Sequence, residues 1–210
     1  MNEIFDYLKL IFNENGFRLY MIGSTSRDFL LNKEIKDYDF VTDATPNESL
    51  KFIKASSAFK KYGVLKLKLF GKSIDVATLR EETNYEDFRH PSKITFIKDI
   101  SKDYLRRDLT INAIYINEQY QIEPISKQGV DDLFCHRLVF IGDIYKRINE
   151  DPLRILRAFR FMEEYNLSIN ADDLKILNEN LYLIDKLNPQ KVLEEQHKIE
   201  KVREYNRDET

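Results

Sequence analysis

Met21-Ile-Gly-Ser-Thr-Ser-Arg-Asp-Phe-Leu-Leu31, followed by Lys36-Asp-Tyr-Asp-Phe-Val-Thr42, is the stretch on which the reading of this chain turns. In a β-strand Asp37 and Asp39 share one face, because side chains alternate with period two. Paired acidic oxygens at a strand end make a poor core but suit Mg²⁺, a hard cation that takes oxygen ligands and is often shared with substrate phosphates. Upstream, an apolar run from Phe17 to Ile22 gives way at Gly23 and Ser24 to a helix-like pattern. A small residue there lets backbone N–H groups approach an anion, and a helix N-terminus favours negative charge. Each half alone has a bland reading, a solvated D-x-D and an ordinary N-cap. Taken together they read as a phosphate cradle facing a metal-binding pair.

Working outward, 210 residues with 42% hydrophobic content suffice for one good core and a small second one. The natural partition is a compact catalytic domain with a helical appendage. A net charge of −3 is not that of a basic nucleic-acid coat, so any RNA contact has to use a local patch. The single cysteine, Cys135, excludes an intrachain disulfide, and the three histidines stand in unrelated places, which leaves no zinc-like set. A reducing cytoplasm is the expected setting. No apolar run approaches the ~20 residues that span a bilayer. Met1-Asn-Glu-Ile-Phe-Asp6 lacks the basic flank and apolar core of a signal, so no membrane association is expected.

Apolar positions between residues 2 and 14 form a nearly helical stripe of Ile4, Phe5, Leu8, Leu10, Ile11 and Phe12, closed by a turn at Asn15-Gly16. Phe17–Ile22 and Asp37–Val41 read as short strands, with a helix over 26–31 between them. Thr45-Pro46-Asn47-Glu48 has the form of a capping box with proline at the first helical position, and predicts a helix from Pro46 to about Ala55. From Ala58 to Arg80 the pattern changes to period two, broken at Gly71-Lys72, which predicts a β-hairpin. Asp75 lies in its second strand, either as a third carboxylate within reach of Asp37 and Asp39 or as an exposed strand charge. Residues 81–102, rich in charge, predict a mobile loop. Gly129 reads as a turn before a helix start. Helices are expected over 171–183 and from Asn188-Pro189 to Glu204.

Two further strings carry chemistry. Arg106-Arg-Asp-Leu-Thr-Ile-Asn-Ala113 offers Arg107 as a bidentate donor to phosphate oxygens. Glu150-Asp-Pro-Leu-Arg154 offers Asp151 and Arg154, three residues apart, as neighbours on one helical face. Cytosine and adenine each present an exocyclic amine beside a ring-nitrogen acceptor, which suits a carboxylate paired with a guanidinium. Uracil and guanine present the reverse polarity and would leave buried partners unpaired, at ~1–3 kcal/mol per group. The bland alternatives are a helix ending in salt bridges and an ordinary i, i+4 pair of Glu150 with Arg154.

In order, the three strings resemble the signatures of the class II tRNA nucleotidyltransferase and bacterial poly(A) polymerase family: G-G-x-x-R-D with D-x-D-x-x-T, R-R-D-F-T-I-N-A, and E-D-x-x-R. Ser24 stands where the family has a second glycine, and Leu109 replaces its phenylalanine. The resemblance implies an α+β fold, a nucleotidyltransferase head with a small mixed β-sheet, five-stranded in the family, and flanking helices. An all-α neck follows. The domain expectation is a head over 1–137 and a neck over 138–210, with the family's C-terminal body and tail absent. The resemblance further implies that Asp37 and Asp39, with Asp75, hold two Mg²⁺ ions. Gly23, Ser24, Arg27 and Arg107 would position a triphosphate. Asp108 and Asn112 would hold the ribose or orient Arg107. Asp151 and Arg154 would choose the base, with Arg157 orienting Asp151 or touching the base. The implied activity is addition of CMP and AMP from CTP and ATP to the 3′ end of tRNA. A-only or CC-only addition, poly(A) synthesis and an inactive RNA- or nucleotide-binding remnant stay open. A separate RNA-gripping partner or a homo-oligomer is a further expectation.

Overall fold

The computed structural model describes residues 2–85 and 91–208, and the chain divides into two compact units. The first comprises Met1–Glu82, Ile94–Arg107 and Ile111–Val130. It opens with α1 (Glu3–Glu14), whose first turn is capped by the Asn2 side chain accepting from the Phe5 N–H. Ile4, Phe5, Leu8 and Phe12 face inward, whereas Leu10 of the expected stripe is 59% exposed, because the buried arc follows an i, i+4 row that passes it by. Phe5 stacks on Phe40 at 5.5 Å between ring centroids, and Phe12 meets Phe52 edge-on at 5.1 Å. Each such ring contributes roughly 1.5–3 kcal/mol through burial.

The sheet that α1 covers has four strands: β1 (Leu19–Met21), β2 (Tyr38–Thr42), β3 (Val64–Leu69) and β4 (Lys72–Thr78), in the order β1-β2-β4-β3. β2 and β4 are parallel, and the other pairs are antiparallel. The expected mixed sheet is therefore present, with four strands among the described residues. At the outer edge of β1 only an isolated bridge joins Met21 to Ile116, since Ile116 is itself paired with Ile122 and the stretch is too short to extend the ladder. The β3–β4 hairpin turns at Phe70 (φ 50°) and Gly71 (φ 74°), two left-handed residues as a tight primed turn demands.

Helix α2 (Gly23–Leu30) begins three residues earlier than the sequence predicts, directly at the glycine. Helix α3 (Pro46–Ser49) has the full capping box of Thr45 and Glu48 but lasts a single turn, not to Ala55. The local start signal is obeyed, and tertiary pairing sets the stop: Phe52 packs against Phe12 and Phe17, and Ser56 pairs through its backbone with Lys66 at the sheet edge. The expected loop over 81–102 is largely regular. β5 (Arg80–Tyr85) and β6 (Pro91–Phe96) form a two-stranded sheet, and α4 (Ile100–Leu105) follows with Asp99 as N-cap. Residues 86–90 of that expectation lie outside the described residues.

The second unit comprises Thr83–Lys93, Asp108–Thr110 and Asp131–Thr210. Helix α5 (Lys127–Phe134) contains the unit boundary and carries Gly129 inside it, not in a preceding turn. Helices α6 (Ile144–Glu150), α7 (Leu153–Glu164), α8 (Ala171–Glu179) and α9 (Pro189–Asp208) complete it. Leu153, Leu156, Leu187 and Ile199 form a core cluster, with Ile184 and Val192 packed against it. Arg160 of α7 bonds Glu195 of α9 at 2.6 Å. Among the described residues no helix is long and apolar enough to cross a membrane.

Candidate active site

In the first unit the expected cradle is built from the turn into α2 and the start of β2. Gly23 has φ +61°, a conformation open to glycine, and a Cβ placed there would stand 3.0 Å from Asp39 Oδ2. The turn therefore lies against the carboxylate. Ser24 donates its hydroxyl to Asp39 Oδ2 at 2.7 Å and its N–H to the same oxygen at 3.3 Å. Thr25, fully buried, accepts from the Asp39 N–H at 2.6 Å and donates to the Asp37 carbonyl at 3.1 Å. It was not singled out from the sequence, although a hydroxyl two residues after the glycine was the available signal. The reading of Asp37 and Asp39 as two residues of one strand needs correction: β2 begins at Tyr38, so Asp37 is exposed just before the strand while Asp39 is half-buried within it.

Asp75 stands directly opposite Asp39 in the parallel register of β2 and β4. Its carboxylate is engaged by Lys66, with Nζ at 2.7 and 2.9 Å from its two oxygens. Among the described residues no three His, Cys, Asp or Glu side chains gather as a metal-binding group. Two carboxylates fit Mg²⁺ in its usual manner, in which one or two protein carboxylates leave the remaining positions to water and substrate phosphates.

Arg27 is buried at 4% exposure and turns inward, donating from Nη1 to the Asn112 side chain and, at 3.3 Å, to the Ile111 carbonyl. Asn112 thus orients Arg27 with its side chain and offers Arg107 its backbone carbonyl, at 3.3 Å. Arg107 is itself held by two groups not singled out from the sequence. Its Nε and Nη2 lie 3.0 and 2.9 Å from Asp103 Oδ2, and its Nε lies 2.8 Å from the Tyr115 hydroxyl. Tyr115 in turn donates to Asp103 at 2.6 Å. Asp103 is fully buried and also accepts from Arg106 Nε at 2.8 Å and from the Arg80 N–H at 3.1 Å. Burial opposes its charge, but Arg107 and Arg106 overcome that and hold the carboxyl far below the usual carboxylate range. Burial pushes the Tyr115 phenol well above its ordinary value. The spacing of Asp103 and Arg107, one helical turn apart, was the legible signal.

In the second unit, Asp108 pairs with Arg157. Its Oδ2 accepts from Arg157 Nε at 2.8 Å and Nη2 at 2.7 Å, a forked ion pair between residues 49 apart in sequence. The Asp108 carboxylate raises the Arg157 guanidinium above its ordinary value against the opposing effect of burial. Asp151 and Arg154 do not share one helix. Asp151 is extended (φ −149°, ψ 98°) between α6 and α7, and its side chain accepts from the Leu153 N–H at 3.1 Å. Pro152 is the reason: it disfavours helical backbone at the residue before it and resets the helix after it. Arg154, on the first turn of α7 and 7% exposed, reaches back to Glu150 at 2.9 Å and to the Arg147 carbonyl at 3.0 Å. Its Glu150 pair, the bland alternative of the sequence reading, is present.

The family model for the poly(A) polymerase head domain matches residues 19–138. The chain is 36% identical over 208 residues to the CCA-adding enzyme of Bacillus pumilus, covering 97% of this chain and 52% of that protein. To the CCA-adding enzyme of Staphylococcus haemolyticus it is 33% identical over 201 residues, covering 94% and 50%. Among solved structures it is similar to the Bacillus stearothermophilus CCA-adding enzyme in complex with CTP, with a TM-score of 0.83 at 26% identity over 95% of this chain and 49% of that one. It is also similar to a tRNA nucleotidyltransferase complexed with a primer tRNA and an incoming ATP analog, with a TM-score of 0.73 at 27% identity over 96% and 60%. The chain spans about half the length of the curated relatives it matches.

Proposed function

From the premise that this chain belongs to the poly(A) polymerase head-domain family, we propose that it transfers CMP and AMP from CTP and ATP to the 3′ end of tRNA. The observation that carries the reading is the Gly23–Ser24 turn packed on Asp39, in a chain similar over nearly its whole length to CCA-adding enzymes. Enzymes of the nucleotidyltransferase family use divalent metals, and Mg²⁺ is the proposed ion here. Held by Asp37 and Asp39, such an ion would supply charge neutralisation at the leaving pyrophosphate and would favour ionisation of the RNA 3′-hydroxyl.

Asp37 and Asp39 supply the oxygen ligands. Ser24, donating to one oxygen of Asp39, holds that carboxylate in a fixed orientation, as hydrogen-bonded partners of metal ligands do. Gly23 and Ser24 offer the triphosphate a close backbone approach. Arg27 and Arg107 add positive charge, Arg27 set by Asn112 and Arg107 by Asp103 and Tyr115. In the helical unit, Asp151 accepts from the exocyclic amine of C or A while Arg154 donates to the ring nitrogen, and the Asp108–Arg157 pair braces α7. Asp75 serves as a third carboxylate only when Lys66 releases it. The cytoplasm, where tRNA and nucleotides are at hand, is the proposed location.

The test is incorporation of each labelled nucleotide, with Mg²⁺, into tRNA transcripts ending before CCA, after C and after CC. Ordered addition of C, C and A is the expected result. A only after CC would reassign the chain to A addition, CC alone to CC addition, and a long A tail on any RNA to poly(A) synthesis. No incorporation with nucleotide binding retained would overturn the transfer reading in favour of an inactive binding protein.

A further inference from the structure

Between Ser49 and Ile74 the chain carries seven lysines and no aspartate or glutamate, in a protein whose net charge is −3. All but Lys60 are exposed. A run of like charge is ordinarily a solvated face, but tertiary placement gives this one a direction. Asp39 lies opposite Asp75 and Asp75 opposite Lys66, so a single row crosses β2, β4 and β3 on one side of the sheet. Lys68, two residues along β3, projects to that same side, opposite Ser73. The backbone bridge of Ser56 to Lys66 draws the preceding segment to this edge. There Phe59 is 47% exposed, with Lys66 Nζ 5.7 Å from its ring centroid. Lys61 and Tyr62 repeat the motif at 4.7 Å.

Ammonium groups interleaved with accessible aromatic rings match single-stranded nucleic acid: the cations meet phosphates and the rings stack bases, with little regard to sequence. Charge complementarity also selects this occupant, since a surface of six exposed lysines attracts a polyanion. We propose that the lysine-rich edge of the sheet, with Phe59 as stacking platform, is the track along which the single-stranded 3′ end of the RNA substrate approaches Asp39. The inference rests on the transferase reading above and adds where the strand lies.

The test is fluorescence anisotropy of a short 5′-labelled single-stranded RNA titrated with the full chain over a series of KCl concentrations, alongside circular dichroism to verify folding. The triple variant Lys54→Gln/Lys61→Gln/Lys68→Gln should flatten the slope of log K against log[salt] by about 2, at roughly 0.7 per lost phosphate contact. Phe59→Ala should weaken binding about 5- to 150-fold. A control triple with the same charge change in the helical unit, Lys175→Gln/Lys191→Gln/Lys201→Gln, should leave both near wild type. Wild-type affinity and slope in the first triple and in Phe59→Ala, or an equal loss in the control, would overturn the track. The two readings fail separately. A protein that binds RNA through these residues but incorporates no nucleotide keeps the track and loses the transfer reading. One that incorporates nucleotides while the first triple keeps wild-type RNA binding loses the track alone.

Discussion

Replacing Asp103 with Asn keeps the shape of the side chain and removes its charge from the centre of the buried network in the first unit. Each oxygen of Asp103 receives a forked arginine: Arg106 Nε and Nη2 at 2.8 Å on Oδ1, and Arg107 Nε and Nη2 at 3.0 and 2.9 Å on Oδ2, where Tyr115 adds a bond at 2.6 Å. An amide presents N–H₂ to donors on one side and takes the shared counter-charge from both guanidinium groups, while Arg106 keeps the Glu82 carboxylate 3.3 Å from its Nη1. Breaking a buried pair by removing one partner costs about 3–5 kcal/mol, a large part of a typical total of about 5–15 kcal/mol. At roughly 2–4 °C per kcal/mol for a chain of this size, Asp103→Asn should lower the melting temperature by about 10 °C.

The pH dependence supplies an independent check. Because the Asp103 carboxyl is depressed in the folded state, its contribution is fully present above the unfolded value of about 3.9 and is lost as pH falls through the folded value. Urea titrations at neutral pH and at successively lower pH, for wild type and Asp103→Asn, read both quantities. The gap between the two proteins should be largest at neutral pH and narrow on acidification. A neutral-pH difference under about 1 kcal/mol, the level of an exposed ion pair, would refute the placement of a charged Asp103 at the heart of this network.

Gly23→Ala forces a Cβ into a left-handed residue, at about 1–2 kcal/mol, and sets it 3.0 Å from Asp39 Oδ2. It should raise the concentration of Mg²⁺ needed for half-maximal incorporation more than it lowers the melting temperature, and an unchanged Mg²⁺ dependence would contradict the packing of that turn on Asp39. Asp37→Ala and Asp39→Ala should each abolish incorporation with the circular dichroism spectrum intact, and surviving activity would remove both from the metal site. Arg154→Ala should loosen rejection of UTP and GTP by about 5- to 150-fold, from ~1–3 kcal/mol per mispaired group, as read by competing nucleotides in one reaction. An unchanged ratio with only lower stability would mean that Arg154 serves the Glu150 pair alone.

Local chemistry was legible in the residues themselves. The Thr45–Glu48 capping box, the period-two hairpin and the alternation that buries Leu65 and Leu67 all follow from interactions a few residues apart. The small-residue turn, the two aspartates and the arginine strings were likewise readable, because their order in the chain carries the pattern. Tertiary structure decided what those side chains face. Asn112 turns to Arg27, 85 residues away, and Asp108 turns to Arg157, 49 away. Neither spacing leaves a periodic trace, since both depend on how distant segments pack. Helix α3 stops where Phe52 and Ser56 find distant partners. Sequence fixes propensity through neighbours, whereas burial and long-range pairing choose among the conformations that propensity allows.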